Sequence, residues 1–285
     1  MRRLTTQEEW NGRYRDLEKK EEEERRKGLG GKLKLSLKRI IGDKLIQYTH
    51  SYRDYLLWEG IYRKHLPPVP RLKVLEVGSA PGRQLVRFHQ AFGYIPFGVE
   101  YSEDGVNLNK QEFLANDIDP DNVIHADFFS EDFRKNYRAH FDVVMSVSFV
   151  EHFSDAGEVI DKHVHVLRNG GFLIVTIPNL RGLNYLLARL FDKEMLSTHN
   201  MRIMNKEAFS AIFGRQDLST VYCDYYGTFE FGLFSYKENL RLRFLLNLCK
   251  LAQRPLNVMF RLLFRDRGFE NRFFSPHLIY IGKKK

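Results

Sequence analysis

Cysteine is scarce in this chain. Two residues, Cys223 and Cys249, stand in 285, too few for a disulfide framework or a zinc cluster, so a reducing compartment is expected. No uncharged apolar run is long enough to span a bilayer. The opening Met-Arg-Arg-Leu-Thr-Thr-Gln-Glu-Glu has no apolar stretch of the kind a secretory signal needs. A cytoplasmic protein is the resulting expectation. What is present suffices for a packed core, since 43% hydrophobic and 14% aromatic residues exclude wholesale disorder.

Basic residues outnumber acidic ones at both ends. Residues 1–66 hold 17 Lys and Arg against 11 Asp and Glu, and residues 183–285 hold 17 against 9. The middle, 67–182, is acidic at 11 against 16. The basic excess of the flanks suits anionic lipid, a phosphorylated substrate, nucleic acid or plain solvent, and charge alone does not choose.

A complete dinucleotide fingerprint, G-x-G-x-x-G, is also missing. In Lys73-Val-Leu-Glu-Val-Gly-Ser-Ala-Pro-Gly-Arg83, the second and third glycine positions are Ala80 and Arg83, which makes a nicotinamide dehydrogenase the weakest option. What remains is a short apolar strand, a turn with Gly78 and Gly82, and a helix carrying Leu85, Val86, Phe88 and Phe92. Such a unit aims backbone N–H groups at a ligand beyond the strand. With Glu76 ahead of the glycines, it resembles the first motif of class I S-adenosylmethionine-dependent methyltransferases. The resemblance implies that Glu76 lies near the cofactor's methionine part and that Gly78, Ser79, Ala80 and Gly82 form its loop.

The chain continues in register with that family. Tyr94–Glu100 reads as a second strand ending in Glu100, at the interval from which a carboxylate reaches a ribose. Tyr101 opens the next helix. A third strand signal, 123–129, carries Asp127 and Phe128. By resemblance these hold the adenine amino group and pack on its ring, although paired Phe are more often plain core. The fourth strand is 141–148, with backbone near Ser146 beside the cofactor. Leu167–Gly171 reads as a helix end with a glycine stop, and 172–177 as the fifth strand. The family continues with a helix at 205–213 and strands at 219–226 and 277–282.

The expected fold is therefore α/β: a Rossmann-like, seven-stranded, mostly parallel sheet with helices on both faces. A helical N-terminal extension, 1–66, precedes a methyltransferase domain at 67–285, with a helical insertion at about 236–268. Residues 6–27 read as a solvated charged helix with pairs such as Glu21–Arg25, ended by Gly28, Gly30 and Gly31. Residues 32–66 read as helices packing on the domain, and the resemblance suggests a lid there. Residues 240–264 interleave Leu, Phe and Met with Arg and Lys, and Pro255 is expected to break or kink them. Such a stretch packs on its own domain or lies on an anionic membrane, so peripheral membrane contact is a further expectation.

For chemistry, Ser148-Phe149-Val150-Glu151-His152 resembles the O-methyltransferases of ubiquinone biosynthesis. His152 is the candidate base, with Glu151 beside it and His199 as a second candidate. Some of those relatives have a Glu at the position of Ser148 and a cluster that can hold a divalent ion. Ser148 removes that carboxylate, so no metal is expected. Ser146-Val147-Ser148-Phe149 does not match the Asn-Pro-Pro-Tyr of nucleobase amino methyltransferases. Pro178-Asn179 is common in methyltransferases of small molecules and glycans. The expected activity is O-methylation of a small molecule, sugar or lipid-linked glycan by S-adenosylmethionine. The alternatives are an RNA methyltransferase using the basic flanks and a non-catalytic cofactor-binding scaffold. Oligomeric state is not legible in the sequence.

Overall fold

Strand and helix alternate from Lys73 onward because short β-branched runs alternate with apolar residues at helical spacing. The computed structural model describes residues 2–26, 51–234 and 240–285. Seven strands form one sheet: β1 (Lys73–Val77), β2 (Ile95–Glu100), β3 (Val123–His125), β4 (Phe141–Val147), β5 (Leu167–Pro178), β6 (Leu218–Tyr226) and β7 (His277–Lys284). Their order is β3-β2-β1-β4-β5-β7-β6. The first five are parallel, and β7 runs antiparallel to both β5 and β6. This is the expected Rossmann-like fold.

A parallel sheet is buried on both faces, and two apolar cores result. Leu75, Val77, Val144 and Val175 face one core, packed by α5 (Glu131–Asn136), α6 (Ala156–Val166), α7 (Leu183–Phe191) and α9 (Lys206–Ala211). Val74, Val143, Met145 and Ile174 face the other. There they meet α3 (Arg83–Phe92), α4 (Glu103–Leu114) and α2, a helix made of Tyr52–Tyr55, a π-helical stretch Leu56–Tyr62 and a last turn Arg63–His65. Order reverses between β1 and β4, so the crevice at their carboxyl ends is the natural ligand site.

Three local expectations are corrected. The charged N-terminal helix, α1 (Gln7–Arg26), is present, but it is not wholly solvated. Tyr14 is buried and Trp10 half-buried against the domain. The helix start is a capping box, in which Thr6 and Glu9 each accept the other's backbone N–H, at 2.6 and 3.2 Å. Residues 167–171 are not a helix end, since α6 stops at Val166 and β5 begins at Leu167. Gly170, at φ +75°, sits in an irregularity between the Leu167–Phe141 and Phe172–Val143 pairs. The third strand is shorter than 123–129, placing Asp127 and Phe128 in the loop after it.

Of the break or kink expected at Pro255, the break does not occur. The insertion is one helix, α10 (Leu240–Phe264), with Pro255 inside it. Pro255 and Leu251 are exposed, so the Leu251 carbonyl that loses its N–H partner is open to water, and the interruption costs less there. Gly28, Gly30, Gly31, residues 32–50 and the insertion's beginning at 236–239 lie outside the described residues.

Candidate active site

The loop after β1 is shaped by close contacts. Gly78 has φ +70°, and a Cβ there would stand 2.8 Å from the Phe149 ring. Gly82, at φ +93°, would drive a Cβ into the Asn109 amide. Asn109 on α4 in turn donates to Ser79 Oγ at 2.6 Å, tying the loop to the next helix. Gly78→Ala would add left-handed strain of about 1–2 kcal/mol and displace Phe149. We expect it to lower the melting temperature by roughly 2–8 °C and weaken cofactor affinity at least tenfold, read by a thermal shift without ligand and by titration.

A cavity of about 160 Å³ opens above this loop, lined by Gly78, Ala80, Glu100, Tyr101, Asp127 and Phe128, among others. Glu100 is buried at the end of β2, and its Oε1 accepts the N–H groups of Tyr101 and Ser102 at 2.9 and 3.0 Å. Burial raises its carboxyl above the usual range, against the pull of those donors. Glu76 is deeper, off the cavity lining, with Oε2 buried and unpartnered. Burial first, and Glu100 second, pushes its carboxyl up to about 8.

The N-terminal segment closes over this cavity. Arg2–Ser154 and Leu4–His152 backbone hydrogen bonds, at 3.0 and 2.7 Å, strap it to the loop after β4. Arg3, Thr5, Trp10 and Tyr14 line the cavity. Arg3 donates to both oxygens of Asp127, at 2.8 and 2.7 Å, and Tyr14 donates to Glu100 Oε2 at 3.2 Å. Of the lid expected in 32–66, residues 32–50 lie outside the described residues. Residues near the start cover the cavity, and the sequence does not single them out. Their signal is small: Trp10 and Tyr14 fall four apart in a run that is otherwise charged.

Beyond β4 the chain turns sharply. Ser148 has φ +51°, a conformation costly for a residue with a Cβ and common at functional sites. A single helical turn, Val150–His152, follows and buries Glu151 and His152. The short helix α8 (Lys193–Thr198) brings His199 to them. The Asn200 N–H donates to the Glu151 carbonyl at 2.7 Å, joining the two segments. The three predicted catalytic side chains thus meet: donor atoms of Glu151, His152 and His199 lie within 4.8 Å of one another.

Their protonation follows from their neighbours. The Thr198 carbonyl, 3.1 Å from His152 Nδ1, only accepts, so Nδ1 carries the proton and Nε2 is left with a lone pair. Thr198 Oγ1 donates to the Glu194 carbonyl at 2.9 Å and so accepts from His199 Nδ1 at 3.1 Å. Burial, and then His199, pushes His152 down to about 3, while burial and Arg13 push His199 down to about 4. Both imidazoles are neutral at physiological pH. Burial pushes Glu151 up to about 8, and neither carboxylate oxygen has a partner. The same trio offers two imidazole nitrogens and a carboxylate, a donor set that suits a transition metal or zinc. His199 supplies a third donor that the reasoning from Ser148 did not count.

A second cavity, about 320 Å³, is lined by Arg13, Pro178, Asp192, Glu194, Met195, His199 and Leu233. It shares Trp10, Ser148 and His152 with the first. The two cavities meet at His152. Ser79, Gly82 and Ser146 do not line either one: Ser79 and Gly82 shape the loop from behind, and Ser146 is fully buried in β4. Val147 and Ser148 take the place expected of Ser146, because alternate residues of the strand point to opposite faces.

Residues 75–175 match a family model described as a methyltransferase domain, and such a domain implies S-adenosylmethionine as cofactor. Among solved structures, the geranyl diphosphate C-methyltransferase of Streptomyces coelicolor A3(2), in complex with Mg2+, geranyl diphosphate and S-adenosyl-L-homocysteine, is similar in fold. It aligns with TM-score 0.52 and 12% identity over 79% of this chain and 78% of that one. The [4+2]-cyclase SpnF aligns with TM-score 0.52 and 13% identity over 81% of each chain. No curated protein matches the chain in sequence. At such identities the likeness concerns the fold, which hosts more than one chemistry.

Proposed function

We propose, for a chain with the Rossmann-like methyltransferase fold and a methyltransferase domain over residues 75–175, that it transfers a methyl group from S-adenosylmethionine to an oxygen of a small molecule, sugar or lipid-linked glycan. The observation that carries this reading is the meeting of the two cavities at Trp10, Ser148 and His152. One cavity has the carboxylates and glycine loop that suit an adenosine cofactor. The other has room for an acceptor.

The residues present fit the cofactor. The carboxylates of Glu100 and Asp127 stand on the cavity wall with Gly78, Ala80 and Phe128, a lining that suits an adenosine, while Glu76 lies deeper with Oε2 unpartnered. Glu100 would hold the ribose hydroxyls and Asp127 the adenine amino group, with Phe128 along the ring. When bound, the cofactor supplies a methyl group activated by its sulfonium. Trp10 packs edge-on against His152, with ring centroids 5.2 Å apart, and with Phe149 it keeps water from the junction. His152 Nε2 presents a lone pair to an acceptor hydroxyl. With its imidazole pushed down to about 3 it is a weak base at rest, and it takes the proton as the oxygen gains the methyl group and becomes strongly acidic. An imidazolium formed there would lower the carboxyl of Glu151 beside it.

The test uses S-adenosylmethionine with a tritiated methyl group and separate pools of sugar nucleotides, lipid-linked glycans and RNA. Label in a hydroxyl-bearing acceptor supports the reading, and label in RNA alone, with steep salt dependence, favours the alternative that the basic flanks suggest. Cofactor binding without transfer to any pool favours a scaffold. His152→Ala should lower kcat by roughly 10²–10⁴-fold while cofactor binding persists. A chelator should leave turnover unchanged if the trio moves a proton. Loss of turnover, restored by a divalent ion, would assign the trio to a metal instead.

A further inference from the structure

Helix α10 has a buried side and, opposite to it, an exposed apolar one. Leu246, Gln253 and Asn257 form its buried side. There Gln253 accepts the Phe231 N–H at 2.9 Å and donates to the Phe229 carbonyl at 3.1 Å, anchoring the helix to the segment after β6. The opposite side carries Phe244, Leu248, Leu251, Pro255, Met259 and Leu262, at intervals of three and four that keep them in one line. All six are exposed, Phe244 at 71% and Leu262 at 68%. Core packing explains the first side and leaves the second without a reason.

This patch extends beyond the helix. Tyr185, Leu186 and Leu190 on α7, which packs on α10, are exposed, as are Phe269 and Phe273 after it. Most of the exposed large apolar side chains among the described residues gather here. Scattered singly they would need no explanation, but six aligned along one side of one helix mark a docking surface. No described helix is long and apolar enough to cross a membrane.

Charge selects the partner. Arg241, seven residues before Leu248, is exposed on the outward side, and Arg243 and Arg254 are exposed between that side and the buried one. Lys250 and Arg261 are half-buried, and Arg261 stacks on Tyr55. The helix has no acidic residue, and residues 240–272 hold eight Arg and Lys against Asp266 and Glu270. A two-fold contact between two copies of this face would set these cations against one another. RNA favours aromatic platforms between basic residues, whereas the outward line is mainly aliphatic. An apolar line edged with cations and no anions is what a bilayer interface with anionic headgroups accepts.

We propose that the outward face of α10, with the neighbouring side chains of α7, docks this protein onto an anionic membrane surface. Leu233, which lines the acceptor cavity, belongs to the turn Phe231–Leu233 that packs on α10. Helix α8, which supplies Glu194 and Met195 to that cavity, directly follows α7. Docking would thus hold the acceptor cavity close to the bilayer. The surface stands independently of the methyl-transfer chemistry.

The test is co-sedimentation of the whole chain with vesicles of phosphatidylcholine, with and without phosphatidylglycerol. Binding is expected to the anionic vesicles, weakened by salt. It should fall at least tenfold in Phe244→Ser/Leu251→Ser/Leu262→Ser and, separately, in Arg243→Glu/Arg254→Glu. All five positions are exposed and lie off both cavities, so an unchanged cofactor titration shows that the variants are folded. Three results overturn the proposal. One is a folded parent that does not sediment with anionic vesicles. Another is binding that survives both variants. The third is a self-association, or an affinity for RNA, that disappears in the variants while vesicle binding persists.

Discussion

Glu100→Ala should cut the affinity for S-adenosylmethionine by roughly a hundredfold or more, because hydrogen bonds to a charged group contribute about 1.5–3 kcal/mol each and a ribose offers two hydroxyls. Glu100 sits at the end of β2 on the cavity wall, and its Oε1 is held in place by the Tyr101 and Ser102 N–H groups. The substitution also leaves those two donors without their acceptor, so some loss of stability accompanies it. Tyr14→Phe is the control that separates the effects. It removes the 3.2 Å hydrogen bond to Glu100 Oε2 while leaving the carboxylate, and it should weaken binding by tenfold at most. Titration calorimetry on the parent and both variants, with circular dichroism as the check on folding, measures all three. Equal affinity in the parent and Glu100→Ala would remove Glu100 from the cofactor site.

The second large effect is on stability against pH. Glu151 is fully buried, and its carboxyl moves from 4.5 to about 8. A carboxyl raised in the folded state favours folding at low pH, and that contribution is lost as pH rises from about 4.5 through about 8. Glu151→Gln cannot ionise, so it should gain on the parent across that window by at most about 1.4 kcal/mol per pH unit. Denaturant midpoints at pH 5 and pH 8, on the order of a few kcal/mol apart in relative stability, would show it. The buried imidazoles act in the opposite sense. His152 and His199 are pushed down from 6.5, so their contribution is complete above that value and is lost as pH falls toward about 4 and about 3. A parent-to-variant difference that stays flat from pH 5 to 8 would mean that Glu151 is ionised in the fold, held so by a cation beside it.

Most of the fold is legible in the sequence because a parallel sheet leaves a strong trace. Strands buried on both faces read as apolar runs, and Val74, Leu75, Val143 and Val144 could stand nowhere else. Acidic residues at successive strand ends place Glu100 and Asp127 on one edge, where they line one cavity. The glycine pair at 170–171 misleads because the same backbone freedom serves a helix cap and a strand irregularity. Pro255 leaves break and kink both open for a related reason: its cost depends on whether the orphaned carbonyl meets water, which sequence does not display.

The site is legible in part. Glu151 and His152 are adjacent in sequence, whereas their meeting with His199 depends on how α8 returns over the sheet. The cover that residues 3–14 give the cavity is not legible, because a local reading of 6–27 sees mainly charge. Trp10 and Tyr14 become informative once the cavity they cover is known. Ser146 and Val147 differ by one residue, and in a strand one residue reverses the face.

The most direct measurement is a crystal structure of the whole chain with S-adenosylhomocysteine. The expected electron density has the adenine beside Asp127 and Phe128, the ribose on Glu100, and the sulfur at the junction between Ser148 and His152, facing the second cavity. A ligand bound elsewhere, or one whose sulfur points away from His152, would contradict the assignment of the two cavities to donor and acceptor.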